Sequence, residues 1–513
     1  MINATPILKA YAKMRLAKLN SMDPATTQQE QLLRLLRRAN NTVFGSRFSF
    51  STISSVEDYQ RIIPLRTYEN FWEEFWKESF PHFEGVTWPG KVKYIPVSSG
   101  TSSGTTKWIP YTSEMASSNT KAGLDLLVYH LHNRPQSKIF GGKSFILGGS
   151  TDLVERAPGI YSGDLSGIAV KTLPWWAKMR YYPPADIALI KDWEEKIGVL
   201  TKGSLQEDIR TLSGVPNWLL ILFERLKALR PESGGLARNL YPNLEMLVHG
   251  GVSFAPYLSQ FQEILEGSKA ELREVYPASE GFIGVADRGY GDGLRLNLDH
   301  GIFFEFVPVD ELGSKKPTRH WIKNVQPDIN YAVVLTTCAG LWSYMIGDTV
   351  KFVDTKTPRV LITGRTSYYI SAFGEHLIGE EIEEAVSTAA QYAKLTVTDY
   401  SMGAIYPKSS SELGGHIFIV EFSPSMPSTE SLKEFETKLD RHLCLRNEDF
   451  DAHRQKNFGF NAPIVIAARP GMFAAWMKSR GKLGGQNKVP RIILKDELLE
   501  SLKKFALEYN GTI

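Results

Sequence analysis

Cysteine is scarce in this 513-residue chain, which has only Cys338 and Cys444. The two lie far apart, match no metal-ligand spacing, and do not make the framework of a small disulfide-bonded domain. The expectation is a reduced, cytoplasmic setting with both thiols in the core. A charge excess of one sign is also missing. The balance is +3, from 59 basic and 56 acidic residues, too small at this length to argue for nucleic acid or a membrane surface. No run approaches the ~18 apolar residues of a membrane span. Residues 1–22 carry Lys9, Lys13, Arg15 and Lys18 and no acid. They lack the continuous apolar stretch of a signal peptide, so an amphipathic helix of the folded domain is expected there. Internal repeats and long low-complexity tracts are absent as well. What remains is ordinary globular composition, 42% hydrophobic and 22% charged, with length for a large core.

The hydrophobic periods predict a mixed α/β chain. Helices are expected in residues 5–40 (two, the second Thr26 to Asn40), Phe71–Phe80, 113–132, 216–230 and 256–267. Strands are expected at Lys91–Val97, Lys143–Gly148, Asn243–Val248, Leu272–Val275, Gly301–Val307, Tyr331–Thr337, Val350–Val353 and Arg359–Thr363. Gly364-Arg365-Thr366-Ser367 breaks the run. Beyond it, a helix (Ile378–Ala393), a strand (His416–Phe422) and a helix (Ser428 to Leu443) have the size of a separate α+β domain. The expected division is 1–366 and 367–513. Residues 158–184 read as an irregular connection. In it Trp175, Trp176, Met179 and Tyr182 either line an apolar ligand pocket or pack as core.

Four short stretches carry chemistry. In residues 97–111, seven hydroxyls (Ser98, Ser99, Thr101, Ser102, Ser103, Thr105 and Thr106) surround Gly100 and Gly104, and Lys107 closes the loop. Glycines let a backbone approach an anion, successive N–H groups form a nest, and a lysine adds a point charge for phosphate. The spacing is not that of a Walker loop, which sets four residues between its first glycine and Gly-Lys. In Tyr276-Pro277-Ala278-Ser279-Glu280-Gly281, Glu280 offers an oxygen ligand to a hard cation such as Mg²⁺. In Tyr344-Met345-Ile346-Gly347-Asp348, Asp348 offers a carboxylate to two ribose hydroxyls, although Gly-Asp is also a common turn. Lys488 sits in the glycine-hinged stretch 484–491.

In this order the stretches resemble the acyl-adenylate-forming superfamily, and within it the Gretchen Hagen (auxin-responsive) family of acyl-acid amido synthetases. Ser98–Lys107 is similar to that family's first nucleotide motif, Tyr276–Gly281 to its Tyr-x-x-Ser-Glu motif, and Tyr344–Asp348 to its Tyr-x-x-Gly-Asp motif. Thr336-Thr337 with Gly340-Leu341, Gly364-Arg365 with Gly374-Glu375, and the Lys488-Val489-Pro490-Arg491 tail extend the likeness over nearly the whole chain. The resemblance implies a large N-terminal adenylate-forming domain, of layered α/β sheets plus a small β-barrel, and a small mobile α+β C-terminal domain. It implies that Ser98, Ser99, Gly100, Thr101, Ser102, Gly104 and Lys107 cradle the ATP phosphates. Gly250, Gly251 and Tyr276 would lie near adenine, and Ser279 on the α-phosphate. Glu280 would hold Mg²⁺, Asp348 and Arg365 the ribose, and Lys488 would bridge the carboxylate and the α-phosphate.

The chain departs from the pattern at Met345, where the superfamily often has Arg, and at Ser367, where the hinge acid stands elsewhere. At His376 plant members have Lys, which makes a phosphate contact there conditional on pH. The implied activity is a two-step ligation with ATP and Mg²⁺ as cofactors. The acid is adenylated, pyrophosphate leaves, an amino-acid amine takes the acyl group, and AMP leaves. Trp175, Trp176, Met179 and Tyr182 would line the acyl pocket. An acyl–CoA ligase and a nucleotide-binding protein without catalysis are the alternatives. A monomer acting on small molecules is expected.

Overall fold

The computed structural model describes all residues except 1–2, 100–105, 149–152, 189, 191–192, 252–253, 255–256, 367–368, 371–376, 407–412, 448–449, 452–453, 455–459, 483–487 and 512–513. The chain forms two compact units, Met1–Phe254 with Leu258–Ile362, and Ala255–Tyr257 with Thr363–Ile513.

The helices of the first unit begin where capping chemistry allows. Pro24–Ala39 starts with a proline, whose missing N–H costs nothing in the first turn, and the Asp23 side chain accepts from Thr26 N–H at 2.8 Å. Ser113–Asn133 is capped by Thr112, which accepts from Met115 N–H at 3.1 Å. Thr5–Ser21 and Ser113–Asn133 bury Leu8, Leu19, Leu126, Val128 and Leu131 with Met246, Val248 and Val285 of the sheet.

That sheet is a single twelve-stranded ladder. Its order is His320–Trp321, Ile302–Pro308, Asn330–Thr337, Tyr344–Asp354, Arg359–Arg365, Leu294–Leu296, Gly281–Val285, Glu271–Ala278, Met246–Gly250, Ile209–Gly214, Lys143–Leu147, Tyr181–Tyr182. From Glu271–Ala278 to the Tyr181–Tyr182 edge neighbours run parallel. Parallel strands are covered on both faces, which is why Met246-Leu247-Val248 is continuously apolar rather than alternating. The strands between Gly281 and Arg365 form the antiparallel half of the same ladder. An aromatic core that includes Phe44, Phe71, Trp76, Phe303 and Trp342 lies in this unit.

The second unit has a four-stranded sheet in the order Ile464–Ala468, Gly415–Ser423, Thr396–Ile405, Ile492–Ile493. Strict alternation along Gly415–Ser423 builds two cores. Phe418, Val420 and Phe422 pack with Ile382, Val386, Phe435, Leu439 and Leu443 of helices Gly379–Tyr392 and Thr429–Arg446. Ile417 and Ile419 pack with Trp476, Leu499 and Leu502 of helices Met472–Ser479 and Asp496–Gly511. Both cysteines are free, and burial pushes each thiol up to about 12, so neither is a ready nucleophile. No described helix is long and apolar enough to cross a membrane.

Candidate functional site

The hydroxyl-rich stretch is flanked by two paired strands, and it leaves the end of the first as expected. Tyr94–Ser99 pairs antiparallel with Thr106–Trp108, setting Ser98 opposite Lys107 and Ser99 opposite Thr106. Lys107 Nζ stands 5.8 Å from the Tyr68 ring centroid, and Trp108 N–H donates to the Tyr68 hydroxyl at 3.0 Å, fixing the base of the hairpin. Gly100, Thr101, Ser102 and Gly104 lie outside the described residues, as do the side chains of Ser98 and Ser99.

The two acidic stretches are brought together. Tyr276 lies on Glu271–Ala278 and Asp348 on Tyr344–Asp354, and the Tyr276 hydroxyl donates to Asp348 Oδ2 at 2.7 Å. Ala278 pairs with Gly281, so Ser279 and Glu280 are the two residues of a tight hairpin turn. Turn residues are usually solvated, yet these are only 6% and 8% exposed. A carboxylate in such a place has lost water, and burial of this kind requires a charged or hydrogen-bonding partner.

A polar and aromatic framework holds the strand that carries Asp348. Between Asn330–Thr337 and Tyr344–Asp354 the turn passes through Gly340, with φ +86°, and a Cβ there would lie 2.6 Å from Thr87 Oγ1. Trp342 Nε1–H donates to the Thr87 carbonyl at 3.0 Å. The Tyr59 hydroxyl sits between Thr336 Oγ1 at 2.6 Å and Ser343 Oγ at 3.0 Å. Ser343 Oγ donates to the fully buried Glu305 at 2.9 Å, and the Arg319 guanidinium neutralises that carboxylate at 2.9 and 3.0 Å.

Gly250 and Gly251 end the strand Met246–Gly250. A Cβ at Gly250 would fall 2.3 Å from the Val275 carbonyl oxygen of the neighbouring strand, and Gly251 has φ +83°. Packing and turn geometry therefore suffice to require both glycines. The residue before them, His249, was not singled out from sequence. It is 1% exposed, neither ring nitrogen has a hydrogen-bond partner, and its ring stacks on Phe254 with centroids 3.6 Å apart. Burial pushes His249 down to about 3. Glu274 is paired with it in register on the adjacent parallel strand, and burial pushes that carboxyl up to about 7. The available signal is a histidine at the end of an apolar strand, while Glu274 sits among the charged residues Glu271 and Arg273 and carries no such signal.

Trp175, Trp176, Met179 and Tyr182 differ in burial. Trp175 and Met179 are 72% and 58% exposed. Trp176 packs against Phe140 at 6.3 Å, and Tyr182 is core, its hydroxyl donating to the Leu200 carbonyl at 3.1 Å. These residues lie at the start of Tyr181–Tyr182 or before it, at the amino end of the parallel strands, whereas open α/β sheets bind ligands beyond the carboxyl ends. Arg365, half-buried, and Lys488, exposed, belong to the second unit. His376 lies outside the described residues.

One group of potential metal ligands occurs among the described residues: Asp125, Asp299 and His300. Arg15 already fills it, with Nε and Nη2 on Asp125 at 2.8 and 2.6 Å and both Nη atoms on Asp299 at 2.7 Å. Hydrogen bonds to Arg15 hold both carboxyls below the usual range despite their burial. This is a clasp for helix Thr5–Ser21, not a cation site.

Comparison with known proteins covers most of the chain. The GH3 family N-terminal domain matches residues 14–270, the GH3 family central domain 296–365 and the GH3 family C-terminal domain 380–497. An indole-3-acetic acid-amido synthetase of Oryza sativa subsp. indica is 25% identical over 325 residues, covering 59% of this chain and 52% of the relative. A jasmonoyl–L-amino acid synthetase of Nicotiana attenuata is 28% identical over 218 residues, covering 40% of this chain and 37% of the relative. The chain spans about half the length of the curated relatives it matches. Among solved structures, the AtGH3.15 acyl acid amido synthetase in complex with 2,4-DB superposes with TM-score 0.80 over 96% of both chains at 18% identity. A 2-hydroxyisobutyryl-CoA ligase in the postadenylation state gives TM-score 0.60 at 14% identity, covering 93% of this chain and 91% of the other. At these identities the structures show a shared fold.

Proposed function

Since the chain belongs to the GH3 family, we propose that it ligates a small carboxylic acid to an amino acid through an acyl-adenylate, with ATP as the activating substrate. The observation that carries this reading is the hydrogen bond from Tyr276 to Asp348. It joins two of the three nucleotide motifs, 72 residues apart in sequence, at one point of the sheet.

The roles follow from the chemistry each group offers. Lys107 and the hydroxyl hairpin neutralise the phosphates. Asp348 accepts the ribose hydroxyls while Tyr276 holds its carboxylate in place, and Arg365 adds a second ribose contact. Ser279 donates to the α-phosphate. Lys488 bridges the substrate carboxylate and the α-phosphate, offsetting charge that builds as the carboxylate attacks phosphorus. His376 contacts phosphate only when protonated, and Gly250 and Gly251 border the base. Glu280, a buried carboxylate, fits Mg²⁺, which characteristically takes one or two protein carboxylates and fills its remaining positions with phosphate and water. When bound, the ion supplies charge neutralisation to the pyrophosphate. The amine then attacks the acyl carbon and AMP leaves. A hinge at residues 364–368, a division near 366, a monomeric state and a cytoplasmic location complete the proposal.

The test is pyrophosphate release with Mg-ATP and a panel of aromatic, indolic and fatty acids, each run with amino acids, with CoA, or with neither. Turnover only with an amino acid, and an amide product by mass spectrometry, is the expected result. Turnover only with CoA would move the protein to thioester ligation. ATP binding without release by any acid would argue for a nucleotide-binding protein without catalysis.

A further inference from the structure

Lys488 is exposed, and four residues beyond it the chain joins the second unit's sheet. That tether limits Lys488 to within about 10 Å of Arg491, at about 3.3–3.6 Å per residue. Where Lys488 can act is therefore set by how firmly 489–493 is held. The strand that holds it is very short. Ile492–Ile493 pairs parallel with Thr396–Ile405 through two positions only, Met402 with Ile492 and Gly403 with Ile493. A ladder this short specifies its register weakly, and a slip of one residue would turn every following side chain to the opposite face.

Side chains on the neighbouring strand supply the missing register. Arg491 Nη1 donates to Asp399 Oδ1 and, at 3.0 Å, to the Tyr400 carbonyl. Its guanidinium carbon stands 4.4 Å from the Tyr400 ring centroid. Ser401 Oγ donates to the Pro490 carbonyl at 2.7 Å, and Met402 N–H donates to the Arg491 carbonyl at 2.8 Å. Val489 packs on the cluster that contains Ile417, Ile493 and Leu499. The Asp399–Arg491 pair is largely buried, each side chain 22% exposed. Buried pairs are weak sources of net stability, and registry is their best-attested use.

We propose that Asp399 and Ser401 are positioning residues for the adenylation step. Acting through Arg491 and Pro490, they fix the register of 489–493 and so the point from which Lys488 reaches the reacting groups. This rests on the role given to Lys488 above. Neither residue is assigned a contact with substrate.

The test uses the full chain with Asp399→Asn, Asp399→Glu, Ser401→Ala and, as reference, Lys488→Ala. Two quantities are read. One is hydrogen exchange of the 489–493 amides in the intact protein. The other is the rate of each half-reaction, pyrophosphate release with Mg-ATP and the acid the wild type turns over, and aminolysis of supplied acyl-adenylate. Asp399→Asn is expected to speed exchange about tenfold, as loss of a charge-assisted hydrogen bond allows. It should lower kcat for adenylation by about 10²-fold, the cost of a misplaced group. KM for ATP and the aminolysis rate should stay within about twofold of wild type, a split that a merely structural role would not produce. Asp399→Glu should restore most of the lost rate, and Ser401→Ala should act in the same direction with smaller effect. Adenylation that survives Asp399→Asn, or equal loss in both half-reactions, would overturn the proposal. If Lys488→Ala itself leaves adenylation intact, the role of Lys488 fails first, and this reference tells the two failures apart.

Discussion

The Tyr276 hydroxyl donates to Asp348 at 2.7 Å, and that bond has a clear consequence. Replacing Tyr276 with Phe keeps the ring in the core and removes that bond. A hydrogen bond to a charged group contributes about 1.5–3 kcal/mol, so KM for ATP should rise roughly tenfold or more with little change in thermal midpoint. Initial rates against ATP concentration check this, and an unchanged KM would detach Asp348 from the nucleotide. Two buried groups nearby make stability depend on pH in opposite directions. The folded Glu274 carboxyl, pushed up to about 7 from an ordinary 4.5, holds a proton that the unfolded chain has released. Its contribution is complete below pH 4.5 and is lost as pH rises through 7. His249, pushed down to about 3 from 6.5, contributes above pH 6.5 and loses that contribution as pH falls toward 3. Glu274→Gln should therefore match the wild type near pH 4.5 and melt progressively higher than it up to pH 8. Thermal midpoints across that range decide the matter, and parallel curves would contradict it.

At the scale of elements, the turn from Asn330–Thr337 into Tyr344–Asp354 is tightly constrained. Gly340→Ala would place a Cβ 2.6 Å from Thr87 Oγ1 at φ +86°. Left-handed strain alone costs about 1–3 kcal/mol, and the clash adds to it. The urea midpoint should drop accordingly, and a shift under about 0.5 kcal/mol, the range of an ordinary surface change, would show that the turn yields. This element also shows what sequence can reveal. Thr336-Thr337 with Gly340-Leu341 was readable as a motif, but its anchors, Thr87, Tyr59 and Glu305, are distant in sequence and carry no local pattern. Helices with clean periods and caps, such as Ser113–Asn133 and Thr429–Arg446, fall where periodicity puts them. The stretch 158–184 does not, because Ile160–Gly163, Leu165–Thr172 and Trp175–Lys178 are each too short to show a period. Thr396–Ile405 escaped notice since its Thr-Asp-Tyr-Ser pattern mixes polar and apolar residues on both faces. The placement of Trp175, Trp176, Met179 and Tyr182 is hard to read for a related reason. Aromatic content identifies a residue type, while only the strand direction tells which end of the sheet that residue occupies.

For the molecule as a whole, the proposed roles fall on two units, one carrying Lys107, Tyr276, Ser279, Glu280 and Asp348 and the other Lys488. Lys488→Ala should lower adenylation by about 10²–10³-fold, the usual effect of removing one preorganised charge donor. It should leave aminolysis of supplied acyl-adenylate nearly intact, since that step makes no new bond to phosphorus. Equal loss in both half-reactions would remove Lys488 from the role. The central claim, attack of the substrate carboxylate on the α-phosphorus, is tested most directly with an acid whose carboxylate oxygens are ¹⁸O. After turnover with ATP and an amino acid, AMP should carry one ¹⁸O and the amide should retain the other. ¹⁸O in inorganic phosphate with ADP as the nucleotide product, or AMP free of label, would contradict an acyl-adenylate route.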